Sequence, residues 1–387
     1  MKNFDILVCT SAGVEAVTKR ELYKLGITDC PATDGRLCFR GDLADVIACN
    51  VNLRTADRVL IKIAEFEAQT FDDLFDGVFA INWRDWLSVD QRIVLSAKSV
   101  KSKLFALSSL QSLAKKAIVE KMKKSYKVAT IDEQGDKAKI EISLKNDIAT
   151  VCIDTSGVGL HKRGYRDLVG AAPLKETIAA AMIMLSVWNP DRPFVDLFCG
   201  SGTLPIEAAM IGLNIAPNAN RNFAVQGFKF FDQQVFDQVL QKAKDNVVDR
   251  QLKIMGFDID KGAVSLSLRH ARRAGVESHI HFQQQDFKDF STKNKYGVIV
   301  SNPPYGERLM TEKEVRFLYK DLRTKFDSLP DWSMGLLTSY YNFEKAYGKK
   351  ADKNRKFFNS NLECHYYQYL GARPPKQKEV SDNQTEE

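Results

Sequence analysis

Two rhythms of apolar and polar positions divide the chain. From residue 193 onward, short β-branched runs alternate with helix-period segments: PFVDLF (193–198) precedes TLPIEAAMIG (203–212), and KIMGFDID (253–260) precedes KGAVSLSLRHARRAG (261–275). HIHFQQQDF (279–287), GVIVSNPPY (297–305), a helical stretch from Glu312 to Leu329 and MGLLTSY (334–340) continue the alternation. Such a pattern predicts βαβ units and a parallel sheet covered on both faces. The helix signals agree: Pro205 falls in a first turn, where a missing N–H costs nothing, and Gly275 stands at a C-terminal cap. In the last helix Val315, Leu318, Tyr319, Leu322, Phe326 and Leu329 keep a 3.6-residue period. RKFF (355–358) and CHYYQYL (364–370), around NSN (359–361), predict a closing antiparallel hairpin.

The N-terminal half reads differently. DILVCT (5–10), the helical SAGVEAVTKRELYKLG (11–26), RLCFRG (36–41) and LADVIACNVNL (43–53) predict a small α+β unit over residues 1–56, with a βαβ-like opening. A second unit over residues 57–156 contains RVLIKIAEFEA (58–68), RIVLSAKSV (92–100), a long basic helix, and the strands KAKIEISLK (137–145) and IATVCIDTS (148–156). The glycine-rich, basic and aperiodic GVGLHKRGYRDLVG marks a linker over residues 157–170. The α/β domain then covers 171–372, and the polar stretch 373–387 predicts a disordered tail.

Composition narrows the class. A length of 387 residues with 44% hydrophobic and 27% charged positions suits a soluble protein of two or three domains. No apolar run approaches the roughly 18 residues of a membrane helix, and the N-terminus lacks a signal-peptide pattern, so a cytoplasmic chain without a membrane partner is expected. Seven scattered cysteines without a CxxC pair, and five histidines without metal-ligand spacing, predict reduced thiols and no metal site. The net charge of +7 matters through its distribution: from Lys98 to Lys127 there are nine lysines and one acid, Glu120. SLQSLAKKAIVEKM places Leu110, Leu113, Ala117, Ile118 and Met122 on one helical face, with Ser108 and Gln111 as a capping box. Lys116 and Lys123 project from the opposite face, Lys115 lies at its border, and Lys101 and Lys103 sit on the preceding loop. A stripe of one sign is the usual footprint of phosphate neutralisation, and the scarcity of aromatics favours recognition of backbone and shape over base reading.

The chemistry is concentrated at predicted strand ends. In DLFCGSGTLP the third glycine of a dinucleotide fingerprint is replaced by Pro205, so a nicotinamide cofactor is disfavoured. The loop suits S-adenosylmethionine (AdoMet), with Asp196 as acceptor for its ammonium. Asp258 is placed to accept ribose hydroxyls, and Asp286 to accept the adenine amino group with Phe287 against the ring. Cys199 reads as a small loop residue, because a nucleophilic cysteine would need a partner cysteine or a PC motif that residues 302–306 lack. SNPPYG stops a buried strand with two prolines and holds Asn302 and Tyr305 in a stiff loop at the carboxyl edge of the sheet, where ligands bind in open α/β folds.

DLFCGSGT, GFDID, QQDF and SNPPYGERL resemble the motifs of class I AdoMet-dependent methyltransferases that act on exocyclic nitrogens of nucleobases. HKRGYR (161–166) with APLKETIAAAM (172–182) resembles the entry to the methyltransferase domain of THUMP-containing RNA methyltransferases. AKSVKSKLFALSSLQSLAKKAIVEKM (97–122) is similar to the THUMP core. Over nearly the whole chain the similarity is closest to the 23S rRNA (guanine-N2) methyltransferase family of the RlmL type, with one methyltransferase domain. The resemblance implies a Rossmann-like α/β domain, its mostly parallel sheet closed by an antiparallel hairpin, preceded by α+β ferredoxin-like and THUMP modules. It implies AdoMet held by Asp196, Phe198, Gly200, Gly202, Thr203, Asp258, Ile259, Asp286, Phe287 and Asn302, and catalysis by Asn302, Pro303, Pro304 and Tyr305. It further implies RNA bound through Lys101, Lys103, Lys115, Lys116, Lys123, Arg163 and Arg166, the partner being 23S rRNA or a pre-ribosomal large-subunit particle and not DNA. Three alternatives stay open: another planar amino group as acceptor (a tRNA guanine, or adenine N6 in nucleic acid), a protein glutamine, and a non-catalytic RNA-binding assembly factor.

Overall fold

The computed structural model describes residues 2–33, 35–167, 174–304, 311–359 and 362–375. Its N-terminal part runs β1 (Phe4–Thr10), α1 (Glu15–Lys24), β2 (Ala32–Thr33), β3 (Arg36–Gly41), α2 (Leu43–Asn52), β4 (Ala56–Glu67), α3 (Phe71–Ala80), β5 (Arg92–Val100), α4 (Leu107–Tyr126), β6 (Lys137–Lys145) and β7 (Ile148–Asp154). Reciprocal capping boxes start two of these helices, Asp42 with Asp45 and Thr70 with Asp73. The strands form one sheet in the order β2-β3-β1-β4-β7-β6-β5. The long strand β4 pairs antiparallel with β1 on one side and β7 on the other, so the two N-terminal units share a sheet rather than standing as separate layers. The βαβ-like opening is corrected as well. After α1 the chain turns back through β2, and β3 returns antiparallel to β1.

Between the parallel strands β5 and β6, α4 is the crossover. Leu110, Ala114, Ala117, Ile118 and Met122 are its buried face, one turn-to-turn stripe against the sheet and α3. The Ser108–Gln111 capping box does not form: the helix begins at Leu107 behind Ala106, which places Ser108 inside the first turn.

The second sheet follows α5 (Glu176–Leu185). It comprises β8 (Phe194–Asp196), α6 (Thr203–Gly212), α7 (Gln233–Asp245), β9 (Ile254–Asp258), α8 (Lys261–Ala274), β10 (Ile280–Gln284), β11 (Val298–Ser301), α9 (Glu312–Asp327), β12 (Ser333–Thr338), α10 (Phe343–Tyr347), β13 (Lys353–Asn359) and β14 (Leu362–Tyr369). Its order is β10-β9-β8-β11-β12-β14-β13; β10 to β12 are parallel, and the β13–β14 hairpin closes the sheet antiparallel to β12. Residues 360–361, within the expected NSN turn, and 376–387 of the expected tail lie outside the described residues. All positions of β11 and β12 are buried, as continuous apolar strands between two helical layers should be. Strand order reverses between β8 and β11, which puts the ligand crevice of the fold over their carboxyl ends.

Residues 213–253, between α6 and β9, were not assigned from the sequence. This excursion carries α7 and buries Phe223, Val225, Phe236 and Ala243 in one cluster with Ile47, Val51 and Ile61 of the N-terminal sheet layer. Backbone and side-chain bonds stitch the seam: Asn218 N–H to Val51 O, Val225 N–H to Thr155 O, and Gln91 Nε2 to Gly227 O at 2.9 Å. The seven cysteines are free thiols. Among the described residues no helix is long and apolar enough to cross a membrane, and no three His, Cys, Asp or Glu side chains cluster for a metal.

Candidate active site

The loop from β8 to α6 needs its glycines for two different reasons. Gly202 has φ +82°, and a Cβ there would sit 3.0 Å from the Ser267 Cβ and 3.2 Å from the Phe282 ring. Gly200 has φ +51° and faces open space, so a ligand can approach its backbone. The loop is held from three sides. Gly200 N–H donates to Asp258 Oδ2 at 2.8 Å, Ser267 Oγ donates to Gly200 O at 2.7 Å, and His270 Nδ1 lies 3.0 Å from Ser201 O. Ser267 and His270, both on α8, were missed in the sequence, where they look like ordinary helix positions. Cys199 is buried with its Sγ 3.7 Å from Ser267 Oγ, and burial pushes its thiol far above the ordinary range, so it is no nucleophile.

Asp196 ends β8 with 1% exposure and accepts the Phe198 N–H at 3.1 Å. Burial pushes its carboxyl up to about 7, against hydrogen bonds from Phe198 and Ser301 that favour the anion; the charge of Asp258 adds to the rise. Asp258 accepts backbone N–H groups on both oxygens, Gly200 on Oδ2 and Asp260 on Oδ1 at 3.0 Å, leaving one lone pair on each for a ligand. On the neighbouring strand end Asp286 caps a short turn by accepting Lys288 N–H at 3.0 Å. Ile259 beside Asp258 is 69% exposed, an apolar surface at the rim. Phe287, beside Asp286, is buried with its ring 5.1 Å from that of Phe198.

Parallel pairing of β11 with β8 and β12 brings SNPP against this loop. Ser301 Oγ accepts the Leu197 N–H at 2.9 Å and so ties the two strand ends together, a role its place beside NPPY hid. Asn302 follows, with Oδ1 buried and without a hydrogen-bond partner among the described residues; Pro303 is buried and Pro304 half-buried. Tyr305 lies outside the described residues. The edge therefore combines two carboxylates with a buried amide oxygen, an acceptor-rich surface suited to a cationic, proton-donating ligand.

Arg163 and Arg166 do not face an RNA, contrary to expectation. Arg163 is buried, donating to Leu160 O at 2.6 Å, to Arg54 O, and to Glu207 Oε1 of α6 at 3.4 Å; Tyr165 OH joins Glu207 at 3.2 Å. Arg166 donates to Leu174 O at 3.0 Å and Thr203 Oγ1 at 3.3 Å, and pairs with Glu176 at 2.6 Å. A buried guanidinium needs several acceptors, and the modules on either side supply them; the basic HKRGYR run thus clamps the glycine-loop helix to the N-terminal unit. On α4, Lys115 pairs with Glu133 at 2.8 Å, whereas Lys116 is exposed, 3.9 Å from Glu120, and Lys123 is half-buried. Lys101 and Lys103 are exposed on the loop before it.

Residues 5–60 match the RlmL ferredoxin-like domain, 68–154 the THUMP domain, and 163–368 the family described as "RMKL-like, methyltransferase domain". The chain is 43% identical over 385 residues, 99% of its length and 100% of the relative's, to a Bacillus subtilis (strain 168) protein named "Putative RNA methyltransferase YpsC". Among solved structures, SMU.472, described as "a putative methyltransferase complexed with SAH", matches with a TM-score of 0.91 at 44% identity, covering 97% of this chain and 100% of that one. A Listeria monocytogenes str. 4b F2365 protein described as a "predicted N6-adenine-specific DNA methylase" also gives 0.91 at 44% identity, covering 96% and 97%.

Proposed function

The chain belongs to the RMKL-like methyltransferase family and carries RlmL ferredoxin-like and THUMP domains ahead of the catalytic one, and from that premise we propose that it transfers the methyl group of AdoMet to the exocyclic N2 amino group of a guanine in 23S rRNA. The cofactor follows from the family and from the SMU.472 relative, whose bound SAH is the demethylated product. The residues here fit it: an open glycine backbone, buried Asp196 awaiting a cation, spare acceptor positions on Asp258, and the exposed Ile259. When bound, AdoMet supplies an electrophilic methyl group on a sulfonium.

The observation that carries the acceptor class is the buried Oδ1 of Asn302, which has no hydrogen-bond partner among the described residues. An aromatic amino group is a weak nucleophile because its lone pair is delocalised into the ring. Asn302 Oδ1 and the Pro303 carbonyl accept its two hydrogens, which turns the lone pair towards the cofactor and favours the positive charge that develops on nitrogen. Pro303 and Pro304 hold those acceptors in place without a ladder bond of their own. Asp196 takes the ammonium, Asp258 the ribose hydroxyls, and Asp286 the adenine edge, while Phe198, Gly200, Gly202 and Thr203 shape the loop. Tyr305 is assigned the face on which the extruded base stacks. The THUMP domain and the YpsC relative support RNA as the substrate class, and the RlmL ferredoxin-like domain supports the large-subunit rRNA, free or within a maturing particle.

A second acceptor, adenine N6, is favoured by the name of the Listeria relative, and NPP serves either amine. Incubation of the purified chain with methyl-labelled AdoMet and deproteinised ribosomal RNA, followed by digestion to nucleosides, separates them. Label in N2-methylguanosine supports the proposal; label in N6-methyladenosine moves the acceptor to adenine.

A further inference from the structure

We propose that the tip of the THUMP domain, formed by the β5–α4 loop and the β6–β7 turn, receives an unpaired RNA base on the ring of Phe105. This rests on the reading of the substrate as RNA and adds a second contact point to it, far along the chain from the catalytic strands. Phe105 is 77% exposed, and Val100, Leu107 and Ile148 are each at least 40% exposed. The strand register places two of these at one end of the sheet. Val100 lies opposite Lys145 across β5–β6, and Ile148 lies opposite Lys145 across β6–β7, so Val100, Lys145 and Ile148 stand together at the strand ends next to the β5–α4 loop.

Hydrogen bonds brace the loop that carries Phe105. Ser99 Oγ donates to Leu104 O at 2.6 Å, Ser102 Oγ donates to Val100 O at 3.1 Å, and Lys103 N–H donates to Asp147 Oδ1 at 2.7 Å. From the turn, Asp147 N–H donates back to Ser102 Oγ at 3.0 Å, and Asn146 N–H to Val100 O at 3.2 Å. Leu104 is buried beneath, which leaves Phe105 facing outward.

The charges name the occupant. Lys101 and Lys103 are exposed on this loop, Lys103 with its ammonium on Gln69 Oε1, and the one carboxylate of the loop and turn, Asp147, accepts a backbone N–H. An exposed aromatic face beside two lysine ammonium groups is what a single-stranded polyanion with planar bases requires: stacking on the ring, phosphates on the lysines. A helical or sheet-forming protein partner would need acceptors for those ammonium groups, and a rigid duplex offers no free base face.

The test uses the full chain with two RNA probes of equal length: a single strand carrying 2-aminopurine among adenines, and a fully paired duplex. Phe105→Ala is expected to weaken the single strand by roughly 5- to 150-fold and abolish quenching of the 2-aminopurine, the range expected for one stacked base. Duplex affinity stays constant, and Phe105→Trp retains single-strand binding. Unchanged single-strand affinity in Phe105→Ala overturns the inference, and so does a change in sedimentation without a change in RNA affinity, which makes the patch a contact between copies. If the unaltered chain binds neither RNA, the substrate reading fails together with this inference, which distinguishes the two failures.

Discussion

Burial makes Asp196 a pH-dependent cofactor anchor. With its carboxyl pushed up to about 7, the cofactor-free protein keeps this group's full stability contribution at low pH, where folded and unfolded states are both protonated. The contribution is lost as pH rises towards 7, because the unfolded chain ionises first, from ~3.9 upward. A bound ammonium reverses the preference. AdoMet affinity should therefore fall about tenfold per pH unit below pH 7 and reach its plateau between 7 and ~8, above which the ligand's own α-amino group loses its charge. Asp196→Asn should bind weakly and flatten the acid limb; calorimetry across pH 5.5–8.5 checks both, and an unchanged acid limb would remove Asp196 from the ammonium site. Asn302→Ala should leave AdoMet affinity nearly intact while single-turnover transfer falls roughly 100- to 1000-fold, since the lost acceptor acts mainly as charge grows on nitrogen. At this scale the local motif was legible: a glycine loop and strand-end acids carry their geometry in consecutive residues. Ser301, Ser267 and His270 were not, because their partners are supplied by other strands and loops, and Arg163 and Arg166 looked solvated because nothing local announces Glu207 or Glu176.

Among the elements, α6 is the part on which the glycine loop and the linker both bear. Its Glu207 is fully buried and receives Arg163 and Tyr165, while Arg163 also reaches the carbonyls of Leu160 and Arg54. Arg163→Ala should strand Glu207 without its cation and destabilise the fold by about 3–5 kcal/mol, read as a lower midpoint in urea. Arg163→Met combined with Glu207→Leu should recover most of that loss, since an apolar pair of similar volume removes the buried charge altogether. A single-variant loss below about 1 kcal/mol would mean the clamp is not a stabilising contact. The sequence made α4, α8 and α9 readable through their apolar period. It hid α7, whose short apolar stripe, Phe236 to Ala243, buries against a different module from the one that follows it in the chain.

For the whole molecule, the three family domains are packed through shared apolar clusters. The 213–253 excursion of the methyltransferase domain fills a core with α2 and the N-terminal sheet, so a fragment starting at residue 171 should expose Phe223, Val225 and Phe236 and self-associate. Sedimentation of that fragment beside the full chain tests it; a monodisperse, AdoMet-binding fragment would contradict the shared core. This continuity could not be read from sequence, where a linker and two modules are what composition suggests, because pairing of β4 with both β1 and β7 is decided by packing across nearly a hundred residues. The same joint structure puts the exposed Lys116 of α4 on the body that presents the catalytic edge. Lys116→Glu with Lys123→Glu should lower RNA affinity and shrink the slope of log affinity against log salt by about one to two, with AdoMet affinity unaffected.

The central claim is the identity of the acceptor amine, and the most direct measurement is nucleoside mass spectrometry of purified 23S rRNA from cells with the gene, without it, and complemented by Asn302→Ala. Loss of part of the N2-methylguanosine on deletion, restored by the unaltered gene and not by Asn302→Ala, is the predicted result. Undiminished N2-methylguanosine in 23S rRNA after deletion, with or without loss of another methylated nucleoside, would contradict it.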